Sequence, residues 1–278
     1  MAEGPRRRHP GPVHVDGRVL SLKQVGDYMH LTLIAPGIAE RARPGTFVTL
    51  GIGGETSAML QRRPFWLHRA RPSGVYGGTV EVVFGVRGPA TRWLAGLRAH
   101  DSVDVIGPVG RPFALPEEPA ACAVVGHGYG AAPMFMLGER LRERDCAVHM
   151  VLGAADERGL FGALEARRAA HSVTVTTADG SVGIKGRVTT ALPAVLGRQR
   201  IDVVYACGPL GMLREVANLA RTAGAWSQVA IEAPMACGLG LCLSCVVPVR
   251  GKDDVTRPAR CCVDGPVFGG DRVDWALL

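Results

Sequence analysis

The stretch ACAVVGHGYGAAP, residues 121–133, joins a short apolar run to a glycine loop that leads into a helical segment. Its spacing Gly126-x-Gly128-x-x-Ala131 fits the dinucleotide-binding fingerprint, whose last position is Gly or Ala. A strand before the loop and a helix after it are the context that this fingerprint requires. The glycines allow a tight turn and the close approach of a pyrophosphate to the helix N-terminus. The alternative is a plain tight turn, because 37 glycines produce such strings by chance.

Apolar strands and helical stretches alternate on the C-terminal side of this loop. The strands are AVHMVLG, VTVTT and IDVVYACGP, at residues 147–153, 173–177 and 201–209, and a helix is predicted over Met212–Arg221. This alternation predicts a parallel sheet with helical crossovers. Because ligands bind such sheets outside the carboxyl ends of the strands, we expect the glycine loop and Cys207-Gly208-Pro209 to line one crevice. Cys207 alone is more often a buried small residue than a reactive one.

Two charged residues follow the second strand of this predicted sheet. Asp156 can accept a hydrogen bond from an adenosine ribose, whereas Arg158, two residues further on, can bind a 2′-phosphate. The sequence therefore favours NAD as the dinucleotide without excluding NADP.

The region from Val13 to Pro116 contains short strands separated by Gly and Pro. Runs of about five to eight residues punctuated in this way predict an antiparallel barrel or sandwich. The clearest are HLTLIA at 30–35, FVTLGI at 47–52, VEVVFGV at 80–86 and SVDVIGPVG at 102–110. One short helix is expected at Thr91–Leu97. The composition changes at PEEP, residues 116–119, which indicates a domain boundary there.

Two segments of this β-rich region suit a flavin nucleotide. Arg62-Arg63-Pro64-Phe65-Trp66 combines arginines, which can hold a pyrophosphate bidentately, with aromatics that can flank an isoalloxazine ring. Gly88-Pro89-Ala90-Thr91 can grip a phosphate through backbone N–H groups and the Thr91 hydroxyl. The alternatives are a basic loop with two core aromatics for the first segment and a simple turn for the second.

Five of the eight cysteines fall within residues 237–262. The first three read Cys237-GLGL-Cys242-LS-Cys245, which is the plant-type spacing for a [2Fe–2S] cluster that a distant fourth cysteine completes. Gly238 and Gly240 allow the backbone to fold around the cluster and to turn N–H groups toward its sulfides. Both Cys261 and Cys262 are candidates for the fourth ligand.

The competing explanations for this cysteine pattern are a zinc site and chance. A structural zinc site usually pairs two short Cys-x2-Cys knuckles, and only one such pair occurs here. Buried cysteines scattered as small hydrophobes are common, but they rarely cluster beside glycines. The pattern therefore favours an iron–sulfur cluster, held by a C-terminal lobe of about fifty residues that lacks helical periodicity.

Length and composition exclude several classes of protein. The 278 residues are about twice the ~150 of one domain, so we expect two domains with their own cores. Hydrophobic residues make up 47% and charged residues 21%, as in globular proteins. No run reaches the ~18 apolar residues of a membrane span. The N-terminus MAEGPRRRHPGP has no apolar run after it, so we expect no signal peptide and a cytoplasmic protein with reduced cysteines.

The net charge of +7 does not point to a nucleic-acid partner. Only three of the 32 basic residues are lysines, and the arginines are spread over the whole chain. Apart from Arg6–Arg8 there is no basic run, and no aromatic residues are interleaved with one. A basic surface with some arginines bound to phosphates is the simpler interpretation.

Taken in order, these motifs resemble the ferredoxin–NADP reductase superfamily and, within it, the electron-transfer subunits of type B dihydroorotate dehydrogenases. The resemblance runs from about Val15 to Trp275 and is most specific at MACGLGLCLSC and CVDGPVF, residues 235–245 and 262–268. PGTFVTL, the RRP segment, IGPVGRPF, VVGHGYGAAP and YACGPLGML also match.

The resemblance implies a fold of three parts after a disordered tail at residues 1–13. These are an antiparallel β-barrel for FAD at 14–116, a parallel-sheet nucleotide-binding domain at 117–229 and a [2Fe–2S] lobe at 230–278. In the family, the fourth cluster cysteine directly precedes an acidic, Gly-Pro-Val-Phe-like string, which selects Cys262 over Cys261. The implied cluster ligands are Cys237, Cys242, Cys245 and Cys262. The implied FAD residues are Arg63, Pro64, Phe65, Trp66, Phe84, Gly85, Val86, Gly88, Ala90 and Thr91, and the implied nicotinamide-nucleotide residues are Gly126, Gly128, Gly130, Cys207, Gly208 and Pro209.

Four residues depart from the family pattern. Trp66 stands where the family usually has a hydroxyl residue near the reactive flavin nitrogen, and Gly85 stands where an arginine is common. Ala90 replaces a common glycine, and His127 interrupts a loop of small residues. These departures bear on the geometry of the flavin and on the identity of the partner.

The function implied by the resemblance is that of an electron-transfer subunit in a hetero-oligomer. A separate FMN-containing catalytic subunit would oxidise dihydroorotate in pyrimidine biosynthesis. Electrons would pass through the [2Fe–2S] cluster and FAD to NAD⁺, and no side chain here is expected to act as a general acid or base. The alternatives are the reductase subunit of a sulfide dehydrogenase, hydrogenase, oxygenase or transhydrogenase, and a zinc-stabilised nucleotide-binding regulator.

Overall fold

Six antiparallel strands close a barrel in the N-terminal half of the computed structural model, which describes residues 11–54 and 57–278. The strand order is β1-β2-β5-β4-β3-β6. The elements are β1 Val13–Val25, β2 Tyr28–Ile34, β3 Phe47–Leu50, β4 Arg63–Arg71, β5 Thr79–Gly85, helix α1 Pro89–Ala95 and β6 Ser102–Val109. Alternate side chains such as Leu31, Leu33, Val80 and Val82 are fully buried in it. The N-terminal region is thus a barrel and not a sandwich.

The sequence predicts four of these strands to within two residues, with β3 ending at Leu50 and not at Ile52. The short helix begins at Pro89 and not at Thr91, because proline suits the first helical turn. The interpretation of Arg62–Trp66 as a loop is wrong, since β4 begins at Arg63. The alternation of apolar and polar residues that would indicate strand β4 is interrupted by Pro64 and the arginines. The predicted disordered tail includes residues 1–10, which lie outside the described residues, and Val13 already belongs to β1.

A seven-stranded sheet follows the barrel, in the order β10-β9-β8-β7-β11-β12-β15. Its strands are β7 Ala121–His127, β8 Ala147–Ala154, β9 Ser172–Thr177, β10 Ile184–Lys185, β11 Val203–Cys207, β12 Trp226–Ala230 and β15 Val267–Gly269. The helices are α2 Ala132–Arg142, α3 Ala163–Ala169, α4 Val188–Arg198 and α5 Leu210–Thr222. Every pair is parallel except β12 with β15. The parallel sheet that the alternation predicts is therefore confirmed, and it brings the carboxyl ends of β7, β8, β11 and β12 to one edge.

The cysteine lobe, residues 230–278, is joined to both other parts of the molecule. Its hairpin pairs β13 Val246–Arg250 with β14 Thr256–Arg260. The chain then returns to the sheet through β15, which pairs with β12. On the way, the backbone N–H of Arg111 donates to the Gly265 carbonyl at 2.6 Å, and that of Ile231 to the Pro266 carbonyl at 2.9 Å. One strand of the predicted lobe is thus part of the seven-stranded sheet.

A buried polar contact joins the barrel to the sheet. His68 of β4 donates from Nδ1 to the Ala132 carbonyl at 2.8 Å, and its Nε2 lies 3.5 Å from Glu165 of α3. The rings of Phe135 and Phe161 pack edge-on against it. Burial lowers the pKa of His68 to about 4, so its imidazole is neutral at pH 7.

The helices of this structure are short. Among residues 11–54 and 57–278, no helix is long and apolar enough to cross a membrane.

Candidate functional site

A cavity of about 400 Å³, here called the barrel cavity, lies between the barrel and the residues that follow β12. Its barrel side is lined by seven of the residues predicted for FAD, namely Arg63, Pro64, Phe65, Trp66, Phe84, Gly85 and Thr91. Its other side is formed by Ile231–Met235, which ends two residues before Cys237. The barrel cavity is therefore adjacent in the chain to the cysteine lobe.

Three residues predicted for FAD lie outside this cavity. Val86 is exposed, Ala90 is buried, and Gly88 caps α1. The Thr91 hydroxyl accepts the N–H groups of Arg87 and Gly88 at 2.9 and 3.1 Å, so it caps the helix and is not a free phosphate ligand. Phe47, Val83, Arg87 and Ile231–Met235 line the cavity and were missed. Ile231–Met235 follow the carboxyl end of β12, so the strand-end rule could have found them.

The structure separates the roles of the two adjacent arginines. Arg62 is fixed on the outer wall of the barrel, where its guanidinium pairs with Asp104 and donates to the Thr49 carbonyl at 3.0 Å. Arg63 faces the barrel cavity. Within the described part of the chain, its guanidinium hydrogen-bonds only through Nη1, to Gln61 and Arg62. Arg63 is thus the arginine with donors left for a pyrophosphate.

A second cavity of about 420 Å³, here called the strand-end crevice, lies at the carboxyl ends of β7, β8 and β11. It is lined by His127, Gly128, Gly130, Asp156, Gly208 and Pro209, as the sequence predicts, together with Asp27, Tyr28 and Gly159. The two glycine-containing loops therefore meet in one crevice. Burial lowers the pKa of His127, so this departure from the family pattern presents a neutral ring.

Two residues predicted for the nucleotide lie beneath this crevice. Gly126 packs against the 3-10 turn Gly128–Ala131 that precedes α2, because a Cβ on it would lie 2.7 Å from the Ala131 Cα. Cys207 is fully buried, and this burial raises the pKa of its thiol well above the usual range. Both residues shape the loops, and Cys207 is an inert thiol.

Three side chains line both the barrel cavity and the strand-end crevice, and are here called the dividing wall: Arg87, Tyr129 and Glu232. Glu232 accepts from Trp66 Nε1 at 2.6 Å and from the Tyr129 hydroxyl at 2.8 Å. The Arg87 guanidinium lies 5.4 Å from the centre of the Tyr129 ring. Burial and the Glu232 charge raise the pKa of Tyr129, so the phenol stays protonated. Its O–H is therefore the donor in the hydrogen bond to Glu232.

The four predicted cluster cysteines converge at the start and the end of the lobe hairpin. The sulfurs of Cys245 and Cys262 lie 3.3 Å apart. The Ser244 hydroxyl lies 3.2 Å from the Cys242 sulfur and accepts the N–H of Ala236, next to Cys237, at 3.1 Å. Hydrogen bonds from Ser244 lower the pKa of Cys242 to about 6, which favours its thiolate. Gly238 and Gly240 have φ of +68° and +87°, as a loop folded around a cluster requires.

Cys261 points away from this group. Its sulfur contacts the Ile231 carbonyl at 3.1 Å, and its side chain is fully buried. Cys262, by contrast, faces Cys245. The structure therefore brings Cys262, and not Cys261, into sulfur contact with Cys245.

Among the predicted cluster ligands, Cys245 and Cys262 form a close pair of sulfurs. A tetrahedral zinc with Zn–S bonds of about 2.3 Å would hold all four sulfurs about 3.8 Å apart. Among residues 11–54 and 57–278, three metal-type donor atoms come within 4.8 Å of one another only at His30, His68 and Glu81. The close pair Cys245–Cys262 would suit a cluster in which each iron takes two thiolates.

The sequence and fold of this chain are similar to those of known proteins. A family model described as the iron–sulfur cluster binding domain of dihydroorotate dehydrogenase B matches residues 232–274. The dihydroorotate dehydrogenase B (NAD(+)) electron transfer subunit of Desulforamulus reducens is 34% identical over 262 residues, covering 94% of this chain and 98% of the relative. That of Bacillus caldolyticus is 35% identical over 246 residues, covering 87% and 91%.

The solved structure of an NADH-dependent reduced ferredoxin-NADP oxidoreductase superposes with a TM-score of 0.81 at 29% identity, covering 95% of this chain and 91% of that one. The Amycolatopsis cytochrome P450 reductase GcoB shares the fold. It superposes with a TM-score of 0.65 at 21% identity, covering 80% of this chain and 69% of that one. Barrel, sheet and cysteine lobe together define a flavin and iron–sulfur oxidoreductase subunit of the ferredoxin reductase fold. Within that class, the chain belongs to the family of dihydroorotate dehydrogenase B electron transfer subunits. The predicted family, fold and cofactor set are thereby confirmed.

Proposed function

We propose that this protein carries electrons from a dihydroorotate-oxidising, FMN-containing partner subunit to NAD⁺, by means of a bound [2Fe–2S] cluster and a bound FAD. The observation that carries the proposal is the continuity of the three sites. Ile231–Met235 line the barrel cavity and lead directly to Cys237, and Glu232 among them also lines the strand-end crevice. Cluster, flavin and nucleotide would thus be neighbours in that order.

Each group has residues that suit it. Cys237 and Cys242 would hold one iron, and Cys245 and Cys262 the other. Arg63 would bind the FAD pyrophosphate, and the aromatic side chains of the barrel cavity would flank its ring. When bound, FAD exchanges hydride with NAD and single electrons with the cluster. The protein contributes placement and electrostatics.

The partner would dock on the cysteine lobe. Cys242 is exposed there, and Leu241 and Leu243 beside it are 82% and 61% exposed. Apolar side chains around an exposed cluster ligand are typical of a protein contact surface. A hetero-oligomer in the cytoplasm is part of this proposal, supported by the relatives' description as subunits and by eight free cysteines.

The absorption spectrum gives the first test. Protein purified without oxygen should show flavin and iron–sulfur bands, and NADH should bleach them. A colourless protein that contains zinc and no iron would contradict the proposal. It would favour the alternative of a zinc-stabilised nucleotide-binding regulator. The partner is then tested by co-purification with the neighbouring gene products and an assay with dihydroorotate and NAD⁺.

A second candidate is the reductase subunit of a ferredoxin-linked transhydrogenase. It is favoured by the similarity to the NADH-dependent ferredoxin-NADP oxidoreductase, which covers 95% of this chain. Reduction by ferredoxin with no activity toward dihydroorotate in the purified complex would select this candidate.

The choice between NAD and NADP gives a further prediction. Asp156 lines the strand-end crevice, whereas the Arg158 guanidinium is held by Asp27 at 2.9 Å. A carboxylate accepts from a 2′-hydroxyl and repels a 2′-phosphate, so we expect a preference for NADH. Asp156→Ser should reduce the NADH:NADPH ratio of kcat/KM about tenfold, the worth of one charge-assisted hydrogen bond. Asp179→Ser, at the end of the next strand, is the matched control, and an equal effect there would contradict the assignment.

A further inference from the structure

The dividing wall is held closed by a carboxylate that bridges the barrel and the glycine loop. One oxygen of Glu232 accepts from Trp66 of β4, and the other accepts from Tyr129. Trp66 is 8% exposed and packs edge-on against Phe47, with ring centres 6.4 Å apart. The Trp66 end of this bridge is therefore fixed in the core that the barrel shares with the sheet.

The Tyr129 end of the bridge is less buried than the Trp66 end. Tyr129 lies in the single turn of 3-10 helix Gly128–Ala131, between two glycines. Gly128 has φ of +58°, so the backbone there already uses the freedom of glycine. The ring is held by the bond to Glu232, the Arg87 guanidinium and an edge contact with Tyr28 at 6.1 Å. Release of Tyr129 would break these three contacts and its packing against the edge of the core.

We propose that the Tyr129 side chain is a gate that must open before a nicotinamide ring can reach the flavin. The hydrogen bond from Tyr129 to Glu232, here called the latch, holds this gate closed. The proposal rests on the proposed function, which assigns FAD to the barrel cavity and NAD to the strand-end crevice. Hydride transfer needs the reacting atoms about 3–3.5 Å apart, and the closed wall keeps the two rings in separate cavities. Opening breaks the bond from Tyr129 to Glu232, while Trp66 retains the carboxylate.

The gate should affect the binding affinity of ligands that carry a nicotinamide ring and not that of ligands without one. A ligand that binds only the open state has its affinity reduced by the fraction of molecules that are open. NAD⁺ carries the nicotinamide ring, whereas ADP-ribose occupies the crevice without it. Weakening the latch should therefore tighten the binding of NAD⁺ and leave that of ADP-ribose unchanged.

The decisive variant is Tyr129→Phe, which keeps the ring and removes the hydroxyl. Both ligands are titrated calorimetrically into the oxidised, flavin-loaded protein. We expect the Kd ratio of ADP-ribose to NAD⁺ to rise about 3- to 10-fold, the worth of a hydrogen bond to a charged acceptor. In stopped-flow measurements, flavin reduction by saturating NADH should accelerate. A ratio that stays the same or falls would overturn the gate, since a fall would make the hydroxyl a direct nucleotide contact.

Two further variants separate the latch from a general change in structure. In the Glu232→Gln background the latch is a neutral hydrogen bond, so Tyr129→Phe should change the ratio less than it does in the wild type. Equal effects in both backgrounds would overturn the role of Glu232. Tyr205→Phe, which removes a buried hydroxyl bonded to the Ala114 carbonyl at 3.0 Å, should leave the ratio unchanged. A rise there would overturn the assignment to Tyr129.

Failure of the gate differs from failure of the proposed function. If the wild-type protein binds neither NAD⁺ nor ADP-ribose, both are overturned. If it binds both ligands with a ratio that Tyr129→Phe does not raise, the gate alone is overturned and the proposed function stands.

Discussion

Replacing Cys262 by serine should remove the iron–sulfur cluster, whereas replacing Cys261 by serine should leave it in place. Cys262 lies 3.3 Å from Cys245, and its loss deprives one iron of half of its thiolates. Cys261 instead contacts the Ile231 carbonyl at 3.1 Å, a hydrogen bond that a serine hydroxyl can also donate.

Iron and acid-labile sulfide per chain are measured on both variants after anaerobic purification. We expect about two irons per chain for Cys261→Ser and the wild type, and close to none for Cys262→Ser. Full iron content in Cys262→Ser together with loss in Cys261→Ser would reverse the ligand assignment. Circular dichroism shows whether each variant keeps the fold.

The second large effect is expected at Arg63. Arg63→Ala should weaken FAD binding about 10- to 100-fold, because the removed guanidinium would make charge-assisted hydrogen bonds to the pyrophosphate. Thermal stability without FAD should change little, since within the described residues this guanidinium contacts only Gln61 and Arg62. The measurement is the quenching of FAD fluorescence on titration with flavin-free protein.

Arg62→Ala is the matched control for Arg63→Ala. Arg62 ties β3 to β6 through Thr49 and Asp104, so its removal should cost about 1–3 kcal/mol of stability. Its effect on FAD affinity should be small. If Arg62→Ala weakens FAD binding as much as Arg63→Ala, the pyrophosphate is not held by Arg63 in particular.

The sequence predicts those parts of this structure that depend on residues close together in the chain. The glycine loop follows its own strand, and the first three predicted cluster cysteines lie within nine residues, so local spacing indicates both. The parallel sheet follows from the alternation of apolar strands and helical stretches. The choice of Cys262 needed the family resemblance, because Cys261 is adjacent and of the same chemistry.

The parts that the sequence does not predict depend on distant contacts. Trp66 and Glu232 are 166 positions apart, and Tyr129 and Glu232 are 103 apart, so no local pattern indicates the dividing wall. The strand β4 is hidden because Pro64 interrupts its alternation. Likewise, the different roles of Arg62 and Arg63 appear only when the barrel closes and places Asp104 beside the first of them.

The segment that carries the fourth cysteine also ties the chain together. Residues 261–269 bond to the barrel at Arg111 and to the sheet at Ile231, and they end in β15. A cluster that binds the native chain more tightly than the unfolded one adds its binding free energy to stability. Insertion of the cluster would then be a folding step for the whole molecule. Amide hydrogens of β12, which contains none of the predicted cluster ligands, should exchange more slowly once iron and sulfide are in place.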